Sequence, residues 1–214
     1  MLNRVLKLLR RIPSEKNKEP SLLWRYVYWT PAVCILGDFF YNLKTVSGRS
    51  MQPTLNPDSS PRKDVGLFDR YAIHTLQRYQ REDIVALKSP EDPKRTLVKR
   101  IVAMPGDRVK TLPPCKDAEV VIPPGHVWIE GDEPFHSDDS NRFGPVSMSL
   151  IESRLVCVVW PLDRLGIPRD PDTVRLLAKA GGDLRTQRTA KAELERLRRR
   201  QDRVVPGLNE EPAT

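Results

Sequence analysis

The first 21 residues combine apolar positions at helical spacing with basic side chains. Six of these residues are Lys or Arg and two are Glu. A cationic amphipathic beginning is typical of a mitochondrial address, and a basic segment flanking a membrane helix is the alternative. The four apolar positions are Leu2, Val5, Leu8 and Leu9.

Residues 22–43 are the most apolar stretch and predict one transmembrane helix. About 20 mostly apolar residues cross a bilayer, and the Trp and Tyr side chains of this stretch suit membrane interfaces. Arg25 and Asp38 are costly inside a bilayer unless they lie near its faces. An interfacial helix and a core helix of a soluble domain are the alternatives.

Residues 44–168 predict a mainly β domain with antiparallel strands. Short runs rich in β-branched residues alternate there with Pro and Gly turn signals, and no long helical pattern separates them. The predicted strands are Asp64–Asp69, Asp83–Lys88, Thr96–Met104, Arg108–Leu112, Glu119–Ile122, His126–Glu130 and Leu155–Trp160.

Residues 169–214 predict a charged C-terminal tail that is partly helical or disordered. Between residues 185 and 203 there are eight Lys or Arg residues and three acidic residues. Ala190, Leu194 and Leu197 form only a thin apolar stripe, so we expect a solvated helix. Contact with RNA or lipid is the alternative.

The composition narrows the class of protein without fixing it. The net charge of +8 suits nucleic acid, an anionic membrane surface or a mitochondrial compartment, and 20 prolines argue against an all-helical fold. Cys34, Cys115 and Cys157 show no metal-binding spacing, so no zinc site is expected. A Cys115–Cys157 disulfide remains open. The three histidines lie in no recognisable catalytic motif.

Two residues indicate acyl-transfer chemistry. Ser50 lies between Gly48 and Pro53, which favour a bend over a helix, although most serines in bends only cap a turn. Lys99 falls on an apolar face of a predicted strand. A buried amine has a lowered pKa and can take a proton from a serine hydroxyl. An edge-strand lysine that reaches water is the alternative.

A polar segment at residues 131–146 separates two strand-like runs. It is dense in small polar residues, so it is either a solvated loop or a clamp that orients a catalytic lysine through hydrogen bonds.

Four segments resemble the ordered boxes of type I signal peptidases, and together they cover most of residues 48–146. A single box is a weak signal, whereas four in order behind an apolar segment are a strong one. The boxes are Ser50–Leu55, Arg81–Val85, Lys99–Asp107, and Gly131–Asp132 through Ser137–Ser140 to Phe143–Pro145.

The resemblance implies a role for each polar residue of these boxes. Ser50 matches the nucleophile and Lys99 the general base. Ser137 matches the serine that hydrogen-bonds the lysine, and Asp139, followed by Ser140, matches the aspartate that structures the site. The resemblance implies no cofactor and no metal.

Within the family, three features look most like subunit 2 of the mitochondrial inner membrane peptidases: Asn141 in place of a common Arg, the sequence around Ser50, and Trp160–Pro161. Gly48 departs from bacterial members, which often have a serine there that helps to hold the oxyanion. The oxyanion hole must then use backbone N–H groups, and the second donor is not identifiable.

The resemblance therefore implies a serine endopeptidase with a matrix-side segment 1–21, one span and a β-rich domain in the intermembrane space. It would remove sorting peptides from precursors together with a sister catalytic subunit, and no nucleic acid is expected as a partner. Two alternatives stay open. One is a repressor-type serine–lysine self-cleaving protease, and the other is a non-catalytic membrane-tethered scaffold or RNA-binding protein that uses the basic tail.

Overall fold

The computed structural model describes residues 27–32, 37, 39–57, 61–166 and 184–207. The chain divides into two compact units, Met1–Asp38 and Phe39–Thr214. In the first unit, residues 27–32 are helical, whereas the predicted basic segment 1–21 and much of the predicted span 22–43 lie outside the described residues. Among the described residues, no helix has both the length and the apolar character that crossing a bilayer requires.

The second unit is built around a large antiparallel sheet. Its strands are β1 (Tyr41–Thr45), β2 (Val65–Asp69), β3 (Ile84–Lys88), β4 (Thr96–Ala103), β7 (His126–Glu130), β8 (Val146–Ser147) and β9 (Ile151–Trp160). Within the described residues their order is β1-β2-β9-β3-β4-β7-β8. β4 is therefore an interior strand, paired with β3 on one side and β7 on the other.

A smaller antiparallel sheet and short helices complete this unit. The small sheet contains β5 (Arg108–Lys110), β6 (Glu119–Val121) and β10 (Val204–Val205), in the order β10-β5-β6 within the described residues. The α-helices described in this unit are α1 (Tyr71–His74), α2 (Ser140–Phe143) and α3 (Leu184–Gln201).

The core follows from the two-residue period of the strands. In β3, Val85 and Leu87 belong to one apolar cluster, and Ile84 and Ala86 belong to another on the opposite face. A third cluster around Trp128 joins the two sheets through Val109 and Ile122. The large sheet is thus covered on both faces at β3, the neighbour of β4.

All seven predicted strands are present, with ends that differ by up to four residues. β9 begins at Ile151 rather than Leu155. β1, β8 and β10 were not predicted. β8 and β10 have two residues each, too few for a periodic signal, and β1 was assigned to the apolar helix because it continues an apolar run. Residues 41–43 are therefore strand rather than helix.

The expectation of a solvated C-terminal tail is wrong for the described part of that segment. α3 is a helix, as predicted, but Leu197 and Glu193 are buried, and β10 pairs with β5. The thin apolar stripe was sufficient because basic side chains of this segment pair with carboxylates of the β domain. Arg200 and Arg203 make these pairs.

Candidate active site

Ser50 lies in a turn just after β1. Gly48 precedes it with φ +95°, a conformation that favours glycine. Met51 and Leu55 are almost completely buried and fix the segment that follows, whereas Ser50 is half-buried. The Ser50 carbonyl accepts a hydrogen bond from the Glu133 N–H at 3.0 Å. The turn is therefore held from both sides, as a reactive hydroxyl requires.

Lys99 lies in the middle of the large sheet, on interior strand β4. Its cross-strand partner is Val85, and only 2% of its surface is exposed. The prediction that Lys99 shares the face of Leu97 and Ile101 is confirmed, because both belong to the apolar cluster that contains Val85. The alternative of an edge-strand lysine reaching water is wrong.

Burial lowers the pKa of Lys99 from 10.5 to about 8, because desolvation penalises the ammonium form. Asp139, Asp138 and Asp132 oppose this by attracting the charge, and Arg95 adds to the lowering. An appreciable fraction of the amine is thus neutral near neutral pH, which is what a general base needs.

Gly131 is the point at which the segments of the site meet. A Cβ atom at Gly131 would lie 2.5 Å from the Ser50 carbonyl oxygen and would also collide with the Ser137 side chain. Arg100 of β4 pairs with Glu130 of β7, so the next residue on each strand is Lys99 and Gly131 respectively. The segments that carry Ser50, Lys99 and Ser137 therefore converge around a residue with no side chain.

The predicted supporting residues surround this point. The Ser137 hydroxyl is buried and has no hydrogen-bond partner among the described residues. Asp139 caps α2 by accepting from the Asn141 N–H, and it also accepts from the Gly131 N–H at 3.1 Å. The Ser140 hydroxyl accepts from the Ile129 N–H at 3.0 Å. Asp139 thus fixes the Gly131 backbone directly.

Asn141 is a buried cross-link rather than a solvent-facing residue. Its amide donates to Glu130 and to Asp139, each at 3.2 Å, and its carbonyl oxygen accepts from the Leu112 N–H at 2.7 Å. The side chain therefore connects the end of β7, the start of α2 and the segment after β5.

A buried ion pair beside Lys99 was not predicted from the sequence. Both oxygens of Asp132 accept from Arg100, at 2.9 and 2.7 Å. Burial alone would raise the pKa of Asp132, but the Arg100 guanidinium more than offsets it and holds that pKa to about 2. Both residues stand within predicted boxes, yet only their strand neighbours drew attention, because a basic residue in a strand normally faces water.

A cavity of about 580 Å³ adjoins this site. It lies between the segment from Glu130 to Asn141 and the C-terminal helix α3. Gly131, Ser137 and Asp139 line it on one side, and Arg200 and Arg203 line it on the other. The C-terminal arginines are a part of the site that composition alone assigned to solvent.

The described residues contain no group of three His, Cys, Asp or Glu side chains that could hold a metal ion. Cys115 and Cys157 are both free thiols, which closes the question of a disulfide between them in this structure. Cys34 lies outside the described residues.

Comparisons with known proteins agree with this geometry. Residues 21–112 match the family described as "Signal peptidase, peptidase S26". The chain is 41% identical over 139 residues to mitochondrial inner membrane protease subunit 2 of Schizosaccharomyces pombe, across 64% of this chain and 75% of that protein. The protein of the same name from Saccharomyces cerevisiae is 36% identical over 141 residues, across 65% of this chain and 80% of that protein.

Among solved structures, a signal peptidase I from Enterococcus faecalis matches with 23% identity and a TM-score of 0.33, across 36% of this chain and 97% of that chain.

The chain belongs to the signal peptidase family, peptidase S26, and is a serine endopeptidase of that type. Within the family it is similar to proteins named mitochondrial inner membrane protease subunit 2, as the motifs predicted.

Proposed function

We propose that this chain is a membrane-anchored serine endopeptidase that removes sorting or signal peptides from precursors delivered to the mitochondrial intermembrane space. Ser50 is its nucleophile and Lys99 its general base. One observation carries these roles: a buried lysine of lowered pKa lies on the strand next to Gly131, where the backbone of Ser50 and the side chain of Ser137 meet.

The reaction begins with proton transfer from the Ser50 hydroxyl to the neutral Lys99 amine. The Ser50 oxygen attacks the scissile carbonyl carbon, and Lys99 then gives the proton to the leaving amine. An acyl-enzyme on Ser50 remains. Lys99 next takes a proton from water, and the resulting hydroxide releases the acyl group and restores the serine.

Ser137 and Asp139 support this chemistry. The buried Ser137 hydroxyl needs a partner, since an unsatisfied buried polar group is costly, and we assign the Lys99 amine to it. Asp139 holds the Gly131 backbone and favours the protonated lysine that forms during the reaction. Ser140 anchors the same loop to β7.

The oxyanion is held by backbone N–H groups, with that of Ser50 as the first donor. Gly48 has no side chain with which to contribute. Its left-handed conformation, at φ +95°, instead shapes the turn that presents Ser50.

We assign the protein to the mitochondrial inner membrane, with residues 22–40 as a single span and the catalytic unit in the intermembrane space. The apolar stretch of the sequence and the names of the relatives support this location. Relatives are named both as subunit 1 and as subunit 2, which supports a sister catalytic subunit as partner. Precursor proteins with sorting peptides are the substrates.

The test uses purified full-length protein in detergent, with its sister subunit and a candidate precursor. Ser50→Ala and Lys99→Met should each lower the cleavage rate by on the order of 10⁴-fold, because each removes one half of the proton-transfer pair. Lys88→Met is the matched control, since this lysine lies on neighbouring β3 and pairs with Glu152 near the surface.

Folding is monitored in parallel by thermal melting. Lys99→Met should not lower Tm, because it removes an amine whose charged form is penalised by burial. Normal processing by either Ser50→Ala or Lys99→Met would overturn the assignment. A product cut within the enzyme itself, with no cleaved precursor, would favour the self-cleaving alternative.

A further inference from the structure

The C-terminal arm, residues 184–207, is bonded to the catalytic unit at several points. β10 pairs with β5, and the Lys110 N–H donates to the Arg203 carbonyl at 2.8 Å. The Gly207 N–H donates to Asp107 at 3.0 Å. The backbone of the arm therefore places its side chains at fixed positions relative to the catalytic residues.

Arg200 connects the arm to the loop on one side of Gly131. Its guanidinium donates to Asp132 at 3.3 Å and to Glu82 at 3.0 Å, and its side chain is almost fully enclosed. Asp132 also binds Arg100, the residue next to Lys99. The backbone around Asp132 reaches the nucleophile, because the Glu133 N–H donates to the Ser50 carbonyl.

Arg203 connects the arm to the other side of Gly131. Its guanidinium donates to Glu130 at 3.0 Å and pairs with both carboxylate oxygens. Glu130 in turn accepts from Asn141, which donates to Asp139. Asp139 holds the Gly131 N–H. An unbroken path of hydrogen bonds thus runs from the arm to the point where the site converges.

The charges explain why both arginines are needed. Glu130 and Asp132 are buried carboxylates, exposed by 4% and 8%. A buried charge that loses its partner is strongly unfavourable, and the segment that carries it moves towards water. Movement at residue 130 or 132 would displace Gly131 between them, and with it the contacts to Ser50 and Ser137.

We infer that Arg200 and Arg203 are positioning residues: by pairing with Asp132 and Glu130 they clamp Gly131, so the C-terminal arm sets the geometry of the nucleophile and its supporting serine. This inference rests on the proposed peptidase function. It assigns no contact between either arginine and the scissile bond.

A second effect acts on the general base. Asp132 attracts the charge of Lys99, as do Asp138 and Asp139, whereas Arg95 repels it. Arg200 partly neutralises Asp132. Without Arg200, Asp132 acts on Lys99 more strongly, so a higher pH is needed to obtain the neutral amine.

The experiment compares Arg200→Met and Arg203→Met with wild type in the full-length protein, using precursor cleavage as the readout. The matched control is Arg198→Met, which removes an exposed arginine from the same helix. Each test variant should lower kcat by roughly tenfold to a hundredfold, since small misplacements of reacting groups have effects of that size. The control should leave kcat within about twofold of wild type.

The pH profile separates positioning from general stability. Arg200→Met should move the pH of half-maximal kcat upward, and Arg200→Lys, which restores the charge, should return it towards wild type. Rates are measured well below each Tm and divided by the folded fraction from circular dichroism. A lower Tm with an unchanged kcat per folded molecule would overturn the inference.

A double-mutant cycle tests the route through Glu130. If Arg203 acts by neutralising Glu130, then Glu130→Gln should restore part of the kcat lost in Arg203→Met. Simple additivity of the two substitutions would overturn that route. If wild type itself leaves the precursor intact, the proposed function fails; if wild type cleaves and both arginine variants match the control, only the positioning role fails.

Discussion

Gly131 is the residue on which the geometry of the site depends most directly. Its missing side chain lets the Ser50 carbonyl and the Ser137 side chain approach one point from different segments. A glycine is usually explained by backbone freedom, but here the reason is close approach. Any side chain at this position would have to push the nucleophile and its support apart.

Gly131→Ala should therefore lower kcat by roughly a hundredfold while the fold is retained, because its Cβ would lie 2.5 Å from the Ser50 carbonyl oxygen. Precursor cleavage and circular dichroism provide the measurement. Wild-type kcat in a folded Gly131→Ala protein would show that the Ser50 turn is not held where the reaction needs it.

The surroundings of Lys99 predict two pH shifts of opposite sign. Because the reaction needs the neutral amine, the rate should rise with pH and reach half its maximum near pH 8. Asp138→Asn removes a charge that raises the pKa of Lys99 and should move the midpoint to lower pH. Arg95→Gln removes a charge that lowers it and should move the midpoint to higher pH.

Asp138 and Arg95 pair with each other at 2.9 Å and are partly exposed, so each shift should be a few tenths of a pH unit. Both should shrink as salt is added, because exposed charges are screened. Full pH–rate profiles at two ionic strengths make the measurement. Shifts in the same direction for the two variants would contradict the assignment of Lys99 as the titrating base.

At the scale of elements, the turn after Ser50 depends on an ion pair that the sequence did not indicate. Asp64, which is completely buried, accepts from Arg164 at 2.6 Å and from the Asn56 N–H at 2.8 Å. Arg164 also donates to the Thr54 carbonyl at 2.9 Å. The two residues are far apart in the chain, and only the fold brings them together.

Asp64→Leu should destabilise the protein by about 3 kcal/mol, because it leaves Arg164 and the Asn56 N–H without their shared acceptor. Glu152→Leu is the matched control. It removes a more exposed partner of Lys44 and Lys88 and should cost less than about 1 kcal/mol. Urea unfolding of both variants measures the difference, and equal losses would contradict the structural role given to Asp64.

The strands and the catalytic pair were predictable because local patterns carry them. The alternation around Lys99 indicated a buried lysine, and the burial of β4 on both sides bears this out. β10 was not predictable, because a two-residue strand has no period and its partner β5 lies about a hundred residues earlier. The meeting of Arg203 with Glu130 is likewise a product of tertiary structure alone.

At the scale of the whole molecule, charge has a different meaning in different regions. The net charge of +8 suggested a surface for an anionic partner, and the C-terminal segment carries much of it. In the described part of the arm, Arg200 and Arg203 instead neutralise carboxylates inside the protein. Net charge therefore overstates how many basic side chains remain available to a partner.

The position of β10 near the end of the described chain has a consequence for biogenesis. The small sheet gains its third strand only when residues 204 and 205 reach β5. A molecule still emerging from a ribosome or a translocation pore lacks this strand, together with the two arginines that precede it. We therefore expect newly made enzyme to stay dormant until delivery is almost complete, which would spare neighbouring chains from premature cutting.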